Sequence, residues 1–332
     1  MSQVEALYYE KLNNQQVQCY LCPHQCRIKE GHKGICRVRL NQGGMLFTVN
    51  YGEISSLALD PIEKKPLYHF YPGSMILSAG TFGCNLACSF CQNYSIAHEK
   101  PQTTYMSPEQ LVKLAVETRE EGSVGVAFTY NEPSIWYEYI YPTAEQLKDN
   151  GLKTVLVTNG FISSAPLKKL IPLIDAMNID VKAFNNYFYH RHCKAALDEV
   201  KATVEEARSQ LHVEITNLVI PEENDNISEI KALAEWLASL DNTIPLHLSR
   251  YYPAYKMHRP PTPVETMQQA YNTAREYLKF VYMGNLPGEE NDTVCQQCGQ
   301  VLIKRQGYQI NASGIQNHRC AGCGAEISYI EM

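Results

Sequence analysis

"SMILSAGTFGCNLACSFCQN", residues 74–93, runs a short apolar stretch into a loop that carries Cys84, Cys88 and Cys91, with the aromatic Phe90 just before the third. The apolar run closed by Gly80 reads as a buried parallel strand. The loop then sits at the strand's C-terminal end. A structural zinc site takes four ligands, so three thiols look like a site left one ligand short. Three thiolates can hold three corners of a cubane iron–sulfur cluster and leave one iron open to an outside chelator. A four-cysteine site is closed.

Working outward, the same kind of strand recurs. "VGVAFTY" (124–130), "KTVLVTNG" (153–160), "AMNIDVKAF" (176–184), "LHVEITNLVI" (211–220) and "PLHLSRYY" (245–252) are rich in Val, Ile and aromatics and end in Gly, Asn or Pro. Amphipathic stretches separate them. "SPEQLVKLAVETREEG" has Ser107 as N-cap, Pro108 at the first helical position and Gly122 as the stop. Strand–helix units repeated six times predict an α/β fold with a parallel sheet and right-handed crossovers, either a barrel or a doubly wound sheet. Unusual polar residues cluster at the strand ends: Cys84 onward, Asn131 and Glu132, Thr158 and Asn159, Asp180 and Lys182, and His247. That clustering favours a barrel with one shared site at its mouth.

The chain has 332 residues, 45% hydrophobic and 19% charged, with a formal net charge of −6. The acidic balance gives no general pull toward nucleic acid or anionic lipid. The first residues are polar, without the apolar stretch of a signal peptide, and no run approaches the roughly 18 apolar residues that span a bilayer. The expectation is a soluble, cytoplasmic protein. Twelve cysteines fall in three clusters plus Cys193. Their C-x-x-C spacing in a large chain without a signal peptide points to metal rather than disulfides. Three units are expected: a four-cysteine module (1–70), the barrel (71–285) and a zinc-ribbon-like module (286–332), with "MGNLPGEEND" (283–292) as linker.

In the last module, Cys295 and Cys298 pair with Cys320 and Cys323 across 21 residues, and Gly299 and Gly324 follow the knuckles. Glycine there permits the turn that aims backbone N–H groups at sulfur. Zinc is favoured, with an iron–sulfur cluster as the alternative. Cys19, Cys22, Cys26 and Cys36 are less regular, and zinc and an auxiliary cluster both stay open; His24 and His32 lie among them as possible substitutes. Cys193 is a core thiol or a group near the substrate, with the core favoured.

The three-cysteine loop resembles the signature of the radical S-adenosylmethionine (SAM) superfamily. The whole chain resembles the AmmeMemoRadiSam system radical SAM enzymes, a group related to pyruvate formate-lyase-activating enzymes. The resemblance rests on "CYLCPHQCRIKEGHKGICRVR" (19–39), the loop, "FTYNEPSIWYEY", "NIDVKAF", "VEITNLVIPEENDN" (213–226), "PLHLSRYYPAYKM" (245–257), "VYMGNLPG" (281–288) and the terminal paired C-x-x-C. It implies a partial (β/α)6 TIM-like barrel, a [4Fe–4S] cluster on Cys84, Cys88 and Cys91, and SAM on the open iron. Phe90 would pack on the adenine and Glu132, with Asn131, would meet the SAM amino group. Thr158 and Asn159 would meet the ribose; Val157 stands where an Asp is common. Asp180 and Lys182 match an Asp-x-Lys motif that orients and contacts the cofactor, and His247 and Arg250 are offered by the last strand. Glu222 stands where a Gly commonly follows the proline.

The chemistry so implied is one-electron cleavage of SAM to methionine and a 5′-deoxyadenosyl radical that takes hydrogen from a substrate the sequence does not identify. No side chain is assigned as an acid or base. A one-electron donor and Memo-like and AMMECR-like proteins are the implied partners. The alternatives are an activase that places a glycyl radical on a partner protein, and a metal-binding or redox-sensing module that leaves SAM uncleaved.

Overall fold

A computed structural model describes residues 4–286 and 291–332. Its centre is an eight-stranded sheet: β1 (Ser56–Pro61), β2 (Met75–Gly80), β3 (Ser123–Phe128), β4 (Lys153–Thr158), β5 (Ala176–Asp180), β6 (His212–Val219), β7 (Leu246–Arg250) and β8 (Val281–Gly284), in unbroken spatial order. From β2 to β8 every pairing is parallel; β1 runs antiparallel on β2. The six strands expected from the sequence are all present. β8 is a seventh parallel strand, too short to stand out, and β1 adds an edge.

The intervening helices are α1 (Pro108–Glu117), α2 (Tyr137–Asp149), α3 (Ser164–Leu170), α4 (Leu197–Arg208), α5 (Ile227–Asp241) and α6 (Val264–Arg275). Ser107 caps α1 in a capping box with Gln110, and Gly122 ends the following 3₁₀ turn in a left-handed conformation. Strand order without reversal puts right-handed crossover helices on one face, and the other face curls into a lumen. β1 and β8 do not pair with each other among the described residues, so the barrel is partial. No described helix is long and apolar enough to cross a membrane.

The lumen is polar. The buried Glu214 carboxylate, from β6, accepts the Tyr68 and His69 backbone N–H groups at 2.9 and 2.7 Å. It also pairs with His212 Nε2 at 3.0 Å and His247 Nε2 at 2.6 Å. Asn178 donates to the Pro66 carbonyl at 2.8 Å. Residues 66–69 therefore lie along the inner face of the sheet. Four charge-assisted or backbone bonds offset the cost of burying that carboxylate.

Residues 56–70, expected in the first module, thus belong to the barrel. They supply its edge strand and lumen filling. The described part of the expected linker, 283–286 and 291–292, begins with β8 residues Met283 and Gly284, and residues 287–290 lie outside the described residues.

The N-terminal module is two small antiparallel sheets, with strands at 9–28 and 4–48. Arg39 is fully buried and makes a bidentate pair with Glu138 of α2 at 2.7 and 2.9 Å. Both side chains also bond the Leu7 backbone. The C-terminal module returns to the barrel through the Tyr71 N–H to Glu331 carbonyl bond and through Arg305, which donates to the Tyr68 carbonyl at 2.6 Å.

Candidate active site

Most of the strand-end residues singled out in the sequence come together. Cys84, Cys88, Phe90, Cys91, Asn131, Glu132, Thr158, Asn159, Asp180 and Lys182 line one cavity of about 340 Å³. Phe90 is buried and packs 5.5 Å from Phe188. The Cys84 sulfur accepts the Leu86 N–H at 3.3 Å and the Asn159 side-chain amide at 3.7 Å. Asn131 ties the loop to β3 by accepting Thr81 N–H at 3.2 Å and donating to the Gly83 carbonyl at 2.9 Å. Gly83 has φ +87°, and a Cβ there would lie 2.7 Å from the Cys36 carbonyl, so glycine is obligatory at this close approach.

Glu132 is buried, and no ion pair to it is found among the described residues. It accepts Ser134 N–H and Thr158 Oγ1 on one oxygen, at 2.9 and 2.7 Å, and Asn159 N–H on the other at 2.8 Å. Burial pushes its carboxyl above the usual range against these three donors. Lys182 Nζ sits 2.7 Å from Asp180. Burial opposes its charge, but Asp180 and Cys88 hold the amine above its ordinary value.

His247 does not join this group. It does not line the cavity, and its Nε2 is engaged by Glu214, with its ring against Tyr68 and Tyr282. It points into the lumen one strand repeat below Ser249, which does reach the cavity. Arg250 instead bonds the Thr262 carbonyl and Tyr252.

The loop is braced from outside. Ser89 Oγ meets His192 Nδ1 at 3.0 Å, His192 Nε2 meets Glu223 at 2.9 Å, and Arg259 grips Glu223 at 3.0 Å. Neighbouring Glu222 holds φ +64°, a left-handed backbone that favours glycine, which accounts for the Gly common at that position. Cys193 is fully buried and stands beside Cys88, so it is at once a core thiol and a neighbour of the loop.

Sequence reasoning missed several lining residues. Lys64 and Lys65 enter the cavity, held by Asp60 at 2.9 Å each, and Tyr130 donates to the same carboxylate at 2.8 Å. Thr216 and Ser249 line it from β6 and β7, and Gln92 follows the last loop cysteine. Gln92 also lines a second, wider cavity of about 980 Å³, bounded by Tyr252, Met283, Asn285, Arg305 and Tyr308. That space lies between the β7 and β8 ends and the C-terminal module.

In the C-terminal module the Cys295–Cys323 and Cys298–Cys320 sulfurs lie 3.8 and 3.7 Å apart, and all four sulfurs fall within 4.8 Å of each other. Each knuckle is closed by a glycine N–H, Gly299 to the Cys295 carbonyl and Gly324 to the Cys320 carbonyl. Cys19, Cys22, Cys26 and Cys36 line a small cavity of about 20 Å³ with His24; His32 is exposed and outside it.

The radical SAM superfamily model matches residues 79–237, the span from the end of β2 to α5. The uncharacterized protein MJ0808 of Methanocaldococcus jannaschii is 43% identical over 338 residues, covering 98% of this chain and 99% of that one. The chain belongs to the radical SAM superfamily. The 7-carboxy-7-deazaguanine synthase of the same organism is 25% identical over 186 residues, 52% of this chain and 74% of that one. SuiB of Streptococcus suis shares the fold at a TM-score of 0.51 and 13% identity, covering 66% of this chain and 49% of SuiB.

Superfamily membership implies a [4Fe–4S] cluster and SAM, and the cavity fits both. Burial pushes the Cys91 thiol up to about 11 and the Cys84 thiol well above its usual value, so metal charge is what would hold them as thiolates. Beside the thiols stand a buried carboxylate, an ammonium–carboxylate pair and an aromatic face, the polar and apolar partners that an amino acid joined to a nucleoside requires.

Proposed function

We propose that this radical SAM protein is an enzyme that cleaves SAM reductively and abstracts hydrogen from a substrate, within the AmmeMemoRadiSam system. The observation that carries the reading is the convergence of three loop cysteines and the polar ends of β3, β4 and β5 on one cavity. When bound, the cluster and SAM supply the one-electron break of the sulfonium bond to methionine and a 5′-deoxyadenosyl radical.

The residues of the chain then do the placing. Cys84, Cys88 and Cys91 hold the cluster. Glu132 offers a carboxylate to the SAM ammonium, with Asn131 fixing the loop beside it, and a charge-assisted bond there is roughly twice as strong as a neutral one. Thr158 and Asn159 keep Glu132 in place and present the ribose wall, Lys182 and Asp180 meet the opposite end, and Phe90 supplies the adenine face. The wider cavity shared through Gln92 holds the substrate, with water kept out of the inner one. His247 serves the lumen, as a partner of Glu214. The C-terminal tetrad holds zinc: tetrahedral Zn–S bonds of about 2.3 Å put sulfurs ~3.8 Å apart, and the Cys295–Cys323 and Cys298–Cys320 separations support that reading. A one-electron donor and Memo-like and AMMECR-like proteins complete the system.

The test is the electron paramagnetic resonance spectrum of the reduced, reconstituted protein. Adding SAM should change the signal in wild type, because SAM occupies the open iron, and should change it far less in Glu132→Gln. A spectrum indifferent to SAM in wild type would refute the reading.

A further inference from the structure

Two lysines that the proposed chemistry does not use stand where the two cavities meet. β1 ends at Pro61, and a 3₁₀ turn, Ile62–Lys64, follows it, anchored by the fully buried Ile62. The turn brings Lys64 and Lys65 back to Asp60, whose carboxylate takes one ammonium on each oxygen at 2.9 Å. The oxygen facing Lys65 also accepts the Tyr130 hydroxyl at 2.8 Å.

The two ammonium groups differ in access. The Lys65 side chain is 4% exposed, with its Nζ over the Tyr130 ring at 4.8 Å. That of Lys64 is 44% exposed. Lys64 lines the inner cavity, yet its Nζ lies 5.7 Å from the centre of the Tyr308 ring, a wall of the wider one. An ammonium carries three N–H donors, and Asp60 takes one of those on Lys64. Two ammonium groups on one carboxylate leave one positive charge, and Lys64 is the one a ligand can reach.

The wider cavity adds a second cation. Of the described residues that line it, Arg305 is the charged one. It is buried and stacks 4.5 Å over Tyr68. Its bonds go to neutral oxygens, the Asn291 and Tyr68 carbonyls and Thr293 Oγ1, at 2.9, 2.6 and 2.7 Å. Glu63, a carboxylate within its field, is engaged by the Gly73 N–H at 2.8 Å. Cations so placed in a cleft draw anions into it. Tyr68, Tyr252, Met283 and Tyr308 supply rings and apolar surface, and about 980 Å³ is room for a small organic molecule.

We propose that Lys64 binds the substrate, an organic anion whose carboxylate or phosphate docks on that ammonium while an apolar or aromatic body fills the wider cavity. That role rests on the wider cavity being the substrate space. Anchoring at Lys64 holds the atoms next to the anionic group at the mouth of the inner cavity, where hydrogen is taken.

Inorganic phosphate and acetate are the probes. Each is titrated calorimetrically into the full-length reconstituted protein, with the cluster oxidised, no reductant, and ionic strength held constant with chloride. Wild type should bind at least one of them saturably, and the tighter of the two tells whether the substrate carries a phosphate or a carboxylate. Lys64→Gln should weaken binding about tenfold, the loss of one hydrogen bond to a charged group. Lys64→Arg should restore most of it. Lys153→Gln, at the opposite end of the sheet, should leave it unchanged, as should SAM added beforehand. Absence of binding in wild type, unchanged binding in Lys64→Gln, loss in Lys153→Gln or displacement by SAM would each overturn the proposal. None of these results depends on SAM being cleaved, so the two readings fail separately.

Discussion

Three neutral donors converge on Glu132, and that decides what its neutral isostere does. Glu132→Gln must turn an amide N–H₂ toward Thr158 Oγ1 and Ser134 N–H or toward Asn159 N–H, leaving buried donors unpaired. A loss of about 1–3 kcal/mol in stability follows, read by denaturant unfolding of the cofactor-free protein, together with a fall in SAM cleavage of at least tenfold. His69 makes a pH prediction. It is fully buried between Tyr282 and the Tyr329 carbonyl, and burial lowers its pKa to about 3. The unfolded chain, with an ordinary histidine near 6.5, binds the proton first, so stability drops as pH falls from about 6.5 toward 3. Unfolding midpoints at pH 7 and 5 should diverge in wild type and converge in His69→Gln; an unchanged gap in the variant would count against this. Polar residues at strand ends were legible because the strands are so apolar that Glu132, Asp180 and Lys182 stand out. His247 stood out equally, but a strand shows which face a residue takes and not how deep in the lumen it lies. Its depth is set by residues 66–69, which bring their backbone to Glu214.

At the scale of elements, six strands follow from apolar runs closed by Gly, Asn or Pro and the first helix from its cap and glycine stop, and their ends agree with the structure to within a few residues. The edge strand β1 and the four-residue β8 were not legible. "SLALDP" pairs antiparallel on one side only, and "VYMG" is too short to carry a period. Lys64 and Lys65 were lost with β1, since nothing in a sequence says that a segment ahead of the first parallel strand turns into the cavity. Among the contacts that join the N-terminal module to the barrel is one buried ion pair, Arg39 with Glu138. Removing one partner leaves the other charge buried and alone, so Glu138→Ala should cost about 3–5 kcal/mol. Chemical denaturation followed by Trp136 fluorescence reports it, because Trp136 lies beside Glu138 and bonds the Asn50 carbonyl of that module. A loss under 1 kcal/mol would mean the module is held elsewhere.

At the scale of the molecule, three groups of cysteines are arranged around one barrel. The sequence shows the C-x-x-C pairs of the last group far apart, and the structure brings its four sulfurs within 4.8 Å of one another. The C-terminal module also closes the wider cavity, with Arg305 reaching Tyr68 and Tyr308 standing at the rim, so a metal-binding appendage helps to build the space offered to a substrate. The central claim is that this barrel mouth cleaves SAM. The direct measurement is 5′-deoxyadenosine formed anaerobically by the reconstituted protein with SAM and a strong reductant, in wild type and in Cys88→Ala. The account predicts product in wild type and none in the variant. Product undiminished in Cys88→Ala, or none from wild type carrying its full complement of iron and sulfide, would contradict it.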